Sequence, residues 1–257
     1  MLGFQEGKLM ASVNVSRFES AFQPKDSLRL FETVTLDNGQ FLNTRKYPWN
    51  PKIQYGIDGM LRYRLSDSVS FTYQYRQFDE TVSIFGAKQR ERFKPYAFDE
   101  FYNTKRQDHS FSVEAYLSPT LYFNSTTAYN QYDREKIVER YDFEEDTIGN
   151  LFNEQDTTLF TSFLHRSIFS TTTEKKLNGQ FGVELLHETG AGERISTDEN
   201  IVGNGGAAMT NFAGWLGLQY EPIDNLTLQG NLRYGYNTNY EHPLIPSFHL
   251  AYKFRKN

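Results

Sequence analysis

Hydrophobic residues recur at every second position over long stretches of this chain. In the segment 53–65, Ile53, Tyr55, Ile57, Leu61, Tyr63 and Leu65 alternate with Gln54, Asp58, Arg62 and Arg64. A period of two is the signature of a β-strand, whose successive side chains point to opposite faces. After Ser66, Asp67 and Ser68 the alternation resumes, with Val69, Phe71, Tyr73 and Tyr75 set against Ser70, Thr72, Gln74 and Arg76. The pair predicts a hairpin with one oily and one wet face. The oil must meet either a protein core or a lipid.

The same patterning predicts strands over about 8–18, 53–65, 69–78, 107–117, 121–132, 158–173, 177–188, 209–220, 226–236 and 247–254, about ten in all. In 158–173 two phases compete, Phe160, Leu164 and Ile168 against Leu159, Phe163 and Phe169. Connections come in two kinds. Short polar links at 66–68, 118–120, 174–176 and 221–225 read as hairpin turns, while the stretches 23–51, 79–105, 134–157, 190–207 and 237–246 read as long loops, most of them beyond the usual length. All the long connections fall at one end of the hairpins. That asymmetry, and strands near the ten residues a tilted strand needs to cross a bilayer, predict an all-β, antiparallel up-and-down transmembrane β-barrel segment with short periplasmic turns and long extracellular loops.

Composition is compatible with this. Mean hydropathy is -0.64, yet 16% of residues are aromatic, and alternation hides membrane strands from hydropathy averages. Tyr63, Phe123, Tyr220, Tyr252 and Phe254 lie near the short turns, and Tyr129, Tyr234 and Tyr236 lie farther along their strands, so two aromatic bands are expected at the membrane boundaries. The formal net charge of -5 offers no cationic field for nucleic acid. Zero cysteines exclude disulfides and thiolate chemistry.

The C-terminal stretch 226–257 carries a more specific signal. Leu226, Leu228, Gly230, Leu232, Arg233 and Tyr234, followed by Pro246, Ser247, Leu250, Tyr252 and Phe254, resemble a recurring strand–loop–strand unit of TonB-dependent outer-membrane receptors. The resemblance implies a partial receptor barrel over 1–257 in the outer membrane of a Gram-negative-type cell. The family's plug domain and remaining strands are not seen in this sequence, and the piece is expected to start and end on the periplasmic side. It further implies uptake of a scarce solute such as a ferric siderophore, haem or cobalamin, energised by the TonB complex through the missing plug, with outer-membrane lipid as the other partner. No catalysis, cofactor or metal is expected of this segment.

Candidate ligand residues are those that join cations to aromatic rings in the outer loops: Arg90, Arg92, Tyr96, Phe98 and Tyr102 in one, and Arg45, Tyr47 and Trp49 in another. Arginine clamps carboxylates and aromatic rings stack on planar ligands. The acidic run 141–150 lacks the spacing of a calcium loop, and the glycines of 203–208 lack the strand–turn–helix setting of a dinucleotide site, so both read as solvated loops. The five histidines form no i,i+4 pair. Two other readings are a complete outer-membrane barrel with protease-like activity, using Asp108 and His109 to activate water, and a soluble β-sandwich binding module. The sandwich requires Ile57, Leu61, Val113 and Leu228 to lie enclosed between two stacked layers.

Overall fold

Alternation of this kind pairs the backbone with neighbouring strands, and most of the described residues lie in strands. The computed structural model describes residues 2–20, 33–35, 41–43, 50–91, 94–151, 155–171, 176–192, 206–241 and 243–254. The strands are β1 (Leu2–Glu6), β2 (Leu9–Glu19), β3 (Thr33–Thr35), β4 (Phe41–Asn43), β5 (Lys52–Arg64), β6 (Val69–Phe85), β7 (Gln89–Glu91), β8 (Lys94–Ser118), β9 (Leu121–Asp142), β10 (Thr147–Asn150), β11 (Asp156–Thr171), β12 (Leu177–Gly192), β13 (Gly206–Ile223), β14 (Leu226–Asn237) and β15 (Ile245–Tyr252). Eleven of them form one path, β1-β2-β5-β6-β8-β9-β11-β12-β13-β14-β15, with every neighbour antiparallel. β10 extends β9, β7 extends β8, and β3 and β4 form a separate ribbon.

The register carries the oily face across the whole sheet. One row reads Leu61, Tyr73, Phe111, Thr127, His165, Leu185, Phe212 and Tyr236. The next reads Arg62, Thr72, Ser112, Thr126, Arg166 and Glu184. A slip of one residue anywhere would exchange the faces. The ambiguity in 158–173 is resolved by these ladders: Phe163 pairs with Tyr129 and Phe169 with Phe123 on the oily face, so Phe160, Leu164 and Ile168 fall on the polar one.

This sheet is a single layer without a core. Among the described residues the buried hydrophobic side chains are Ala97, Ala115, Val138 and Ala213, all small or modest. Large ones stand open instead, with Leu61 45%, Phe181 48% and Leu216 50% exposed. A soluble sandwich would bury these side chains, each worth about 1.5–3 kcal/mol when removed from water. Ile57 is likewise exposed, and no second layer covers it among the described residues. The medium that accommodates such a face is hydrocarbon, and strands satisfy the backbone there through their ladders.

The polar face holds the surface depressions. A cavity of 310 Å³ is lined by Ser12, Asp58, Gln74, Arg76, Asp108 and Asn130, all polar-face residues. Ion pairs span this face: Arg76 Nε lies 2.7 Å from Asp58, Arg62 Nη2 lies 3.2 Å from Glu114, and Glu184 receives Arg233 at 2.9 Å as well as Arg166. Trp215 also points this way, its ring lying across Gly182, where a Cβ would come within 2.1 Å of the indole.

The short turns follow from local chemistry. Gly7 adopts φ 55°, a conformation that suits glycine, and lets β1 turn into β2 through two residues. The Ser66 hydroxyl accepts the Ser68 amide at 3.2 Å, and the Ser118 hydroxyl accepts the Thr120 amide at 3.2 Å.

Three expectations are corrected. β1 adds a strand to the expected ten; its alternation, Leu2 and Phe4 against Gly3 and Gln5, is too brief to stand out. Because β1 descends into a short turn, the sheet's first strand starts at the loop end, not on the periplasmic side. The third correction is the largest. Much of the predicted loops 79–105 and 134–157 is strand: β6, β8 and β9 run 17, 25 and 22 residues, well past the 9–11 that cross a bilayer. Beyond the lipid both faces are wet, so the oily–polar contrast disappears while the ladder persists.

Candidate functional site

The extended parts of β6, β8 and β9, edged by β10, stand as a blade above the membrane belt on the long-loop side. In the stretch 133–140 of β9 the residues read Asp133, Arg134, Glu135, Lys136, Ile137, Val138, Glu139 and Arg140. Since no register shift interrupts β8 and β9 here, this order sends the cations to the face continuous with the sheet's polar face and the carboxylates to the opposite one. Along β9 the inner face of the blade is therefore cationic and the outer face anionic.

Tyr96, Phe98 and Tyr102, three of the predicted ligand residues, fall on that inner face. Phe98 pairs with Arg140 and Tyr102 with Lys136 across the β8–β9 ladder. Tyr96 and Phe98 meet edge to face with ring centroids 5.3 Å apart. The Arg140 guanidinium lies 4.3 Å from the centroid of the Tyr96 ring, and that of Arg134 lies 4.7 Å from the Tyr102 ring. Stacking of this kind fixes a guanidinium by its flat face. Lys136 Nζ is 3.4 Å from Glu100, whose carboxylate also accepts the Tyr102 hydroxyl at 2.8 Å. Partial burial, then the hydrogen bond to anionic Glu100, push the Tyr102 phenol above its ordinary pKa of 10.0. It remains a neutral donor at physiological pH.

The blade is braced at its corners and along its outer edge. At the β6–β7 corner the Gly86 amide donates to the buried Asp99 carboxylate at 3.1 Å, and a Cβ on Gly86 would press to 2.1 Å from the Phe98 carbonyl oxygen. Where β9 rises past β11, the Gln155 side chain bonds both the Val138 amide and carbonyl, at 3.1 and 3.0 Å, replacing a strand. At the β9–β10 tip the Asp142 carboxylate accepts the amides of Glu144 and Glu145 at 2.9 and 3.3 Å, which holds its pKa below 3.8. Lys94 closes the tip on Glu145 at 3.2 Å.

The remaining sequence candidates are placed as follows. Arg90 lies in β7, its backbone paired with Pro95. The Arg90 side chain and Arg92, Arg45, Tyr47 and Trp49 lie outside the described residues. Sequence reasoning passed over Arg134, Lys136 and Arg140 because 134–157 reads as a loop, although alternating charge sign is itself a period-two signal. The protease-like pair is not assembled. Asp108 is on the polar face, 3.0 Å from Arg106, whereas His109 is on the oily face, its Nδ1 2.8 Å from the Tyr73 hydroxyl. His165 and His187 are also on the oily face, each hydrogen-bonded to a threonine. No group of metal-ligating side chains occurs among the described residues. Of the segment 203–208, residues 206–208 begin β13 instead of forming a loop.

No protein-family model matches the sequence, and no curated protein resembles it in sequence. Solved structures do resemble it in fold. The outer membrane transporter YddB from Escherichia coli superposes with a TM-score of 0.65 over 94% of this chain and 33% of its own length, at 11% identity. BauA, the ferric preacinetobactin receptor of Acinetobacter baumannii, aligns with a TM-score of 0.45 over 91% of this chain and 38% of its own at 11% identity; the copper transporter OprC gives 0.43, 88%, 40% and 9%. The chain thus spans about a third of the length of YddB. At these identities the likeness is one of fold alone, and the fold is that of an antiparallel outer-membrane β-barrel wall, as the strand pattern predicts.

Proposed function

We propose that this chain is part of the barrel of an outer-membrane active-transport receptor of the TonB-dependent type, and that residues 1–257 supply barrel wall and solute-facing surface. The reading is supported by the barrel fold, by the resemblance of 226–254 to the receptor strand unit, and above all by the inner face of the blade. There Arg134 and Arg140 stack on Tyr102 and Tyr96 beside Lys136. Cations held over aromatic rings, at the outer mouth of a polar lumen, suit an anionic solute with flat, delocalised groups, such as a ferric siderophore. Haem carries the same chemistry through its carboxylates and planar ring. Import of such a solute by a receptor of this type would require a plug and the TonB complex.

The test is binding by the parent receptor, followed by intrinsic fluorescence, with a panel of ferric siderophores, haem and cobalamin. Arg134→Ala combined with Arg140→Ala is expected to weaken binding of the best ligand at least about tenfold, the loss of roughly one charge-assisted contact or more. Unchanged affinity in a variant that keeps its folded, heat-modifiable barrel would refute the assignment of the blade as the solute surface.

A further inference from the structure

A polar notch interrupts the oily face of β9 and β11. Four side chains on that face bond to one another in a chain. Ser125 Oγ lies 2.9 Å from Ser167 Oγ, Ser167 Oγ lies 3.1 Å from His165 Nε2, and His165 Nδ1 lies 2.9 Å from Thr127 Oγ1. Phe123 and Phe169 bound the notch on the short-turn side, their ring centroids 4.7 Å apart, and Tyr129 pairs with Phe163 on the loop side. Ser125 and Ser167 are 9% exposed, and His165 and Thr127 are half-buried, so small polar groups lie sunk among bulky rings. The oily face ends at the row of Gln107, Gln131 and Thr161. Ser125 stands six residues from Gln131, about 20 Å along the strand and about 14 Å deeper at the usual tilt of about 45°. His109 and His187 differ, because they share the row of Tyr129 and Phe163 near the water boundary.

The hydrogen bonds of the notch are incomplete. Three hydroxyls and a neutral imidazole carry four polar hydrogens, and the chain has three contacts. Whichever tautomer His165 adopts, one hydroxyl donor is left over. None of the four residues has a further side-chain partner among the described residues. A donor without an acceptor is costly in hydrocarbon, and neither acyl chains nor water supplies one at that depth.

We infer that the notch is the contact surface for a second copy of this chain in the same membrane, an isologous pair whose two-fold axis runs along the membrane normal beside β9 and β11. An occupant must carry polar groups to the depth of His165 and Ser125. A copy inserted in the same orientation does so by symmetry, because its own His165 and Thr127 stand at that depth and a hydroxyl both donates and accepts. The spare donor of each copy then meets free lone pairs of the other, and the small serine and threonine side chains let the two walls approach. This rests on the membrane reading, and not on the solute or the blade.

Cross-linking of the purified protein in lipid vesicles tests this, and the chain's lack of cysteine gives a clean background. Phe163→Cys, beside the notch, should form a disulfide between two copies. Leu61→Cys and Leu216→Cys, on the oily face of β5 and β13, should stay monomeric. Energy transfer between labelled copies, followed as lipid is added, measures the association itself. His165→Leu with Thr127→Val suits the notch to lipid and should lower the association constant about tenfold, the effect of two intramembrane hydrogen bonds. Thr127→Val alone, which removes little more than a hydroxyl, should give a smaller loss in the same direction. Both are read on protein that keeps its heat-modifiable fold. Equal cross-linking at all three cysteine positions, none at Phe163→Cys, or undiminished association in the double variant overturns the inference. Recovery of the protein as a soluble, lipid-free monomer would instead remove the membrane reading, and this interface with it.

Discussion

The belt and the blade are built from the same strands by different rules. In the belt, β8 alternates Phe111, Val113 and Ala115 with Ser112, Glu114 and Tyr116, and the two faces differ in polarity. In the blade, β9 alternates Asp133, Glu135 and Glu139 with Arg134, Lys136 and Arg140, and the two faces differ in sign of charge. Hydrocarbon on one side selects the first pattern, because an uncompensated charge there is costly. Water on both sides removes that constraint and leaves charge free to be sorted by function. What the ladder supplies in both regions is the strict separation of odd from even residues.

The largest expected effect breaks the belt. Leu216→Arg places a cation on the oily face and should destabilise the barrel by about 2–4 kcal/mol, whereas Phe101→Arg on the outer face of the blade should cost less than about 1 kcal/mol. Urea unfolding of the protein in lipid vesicles measures both. Equal losses would erase the distinction between the regions. Next in size, Gly182→Val drives a side chain into the Trp215 ring. A cost of about 1–3 kcal/mol is expected from overpacking, with a shift in Trp215 emission read in a Trp49→Phe background. An unshifted spectrum would mean that the indole does not rest there.

Smaller effects sharpen the blade. Glu100→Gln removes the anion that accepts the Tyr102 hydroxyl and pairs with Lys136, so the Tyr102 phenol should ionise at lower pH in an ultraviolet titration; an unchanged midpoint would refute the contact. The smallest is at the blade tip. Asp142 is held below its ordinary pKa by the Glu144 and Glu145 amides, so its contribution is present above about pH 4, the unfolded value, and is lost as pH falls through the lowered folded value. Amide exchange at Glu144 and Glu145 should accelerate in that acid window and, at neutral pH, in Asp142→Asn. Protection that is flat with pH would count against the turn.

How much was legible follows from the same contrast. The belt could be read residue by residue, down to the faces of Ile57, Leu61, Val113 and Leu228, because lipid forces polarity into the sequence. β11 was ambiguous alone, since Phe160 and Leu164 put large apolar groups toward the lumen, and only pairing with β9 and β12 fixed its phase. The blade reads as loop in the sequence because a hydropathy pattern is silent where both sides are wet. Tyr96, Phe98 and Tyr102 were found by residue type, while their partners Arg134, Lys136 and Arg140 were hidden in a stretch that looked merely charged. Alternation of charge sign over 133–140 was the available signal.

The measurement that tests the central claim most directly is a spin-label scan along β8 of the protein in lipid, comparing collision with oxygen, which concentrates in hydrocarbon, and with a water-soluble nickel chelate. Over 107–117 the odd positions should favour oxygen and the even ones nickel, and over 95–105 every position should favour nickel. Contrast that is absent from 107–117, or that continues unchanged to residue 95, would contradict a lipid-facing belt beneath a fully hydrated blade.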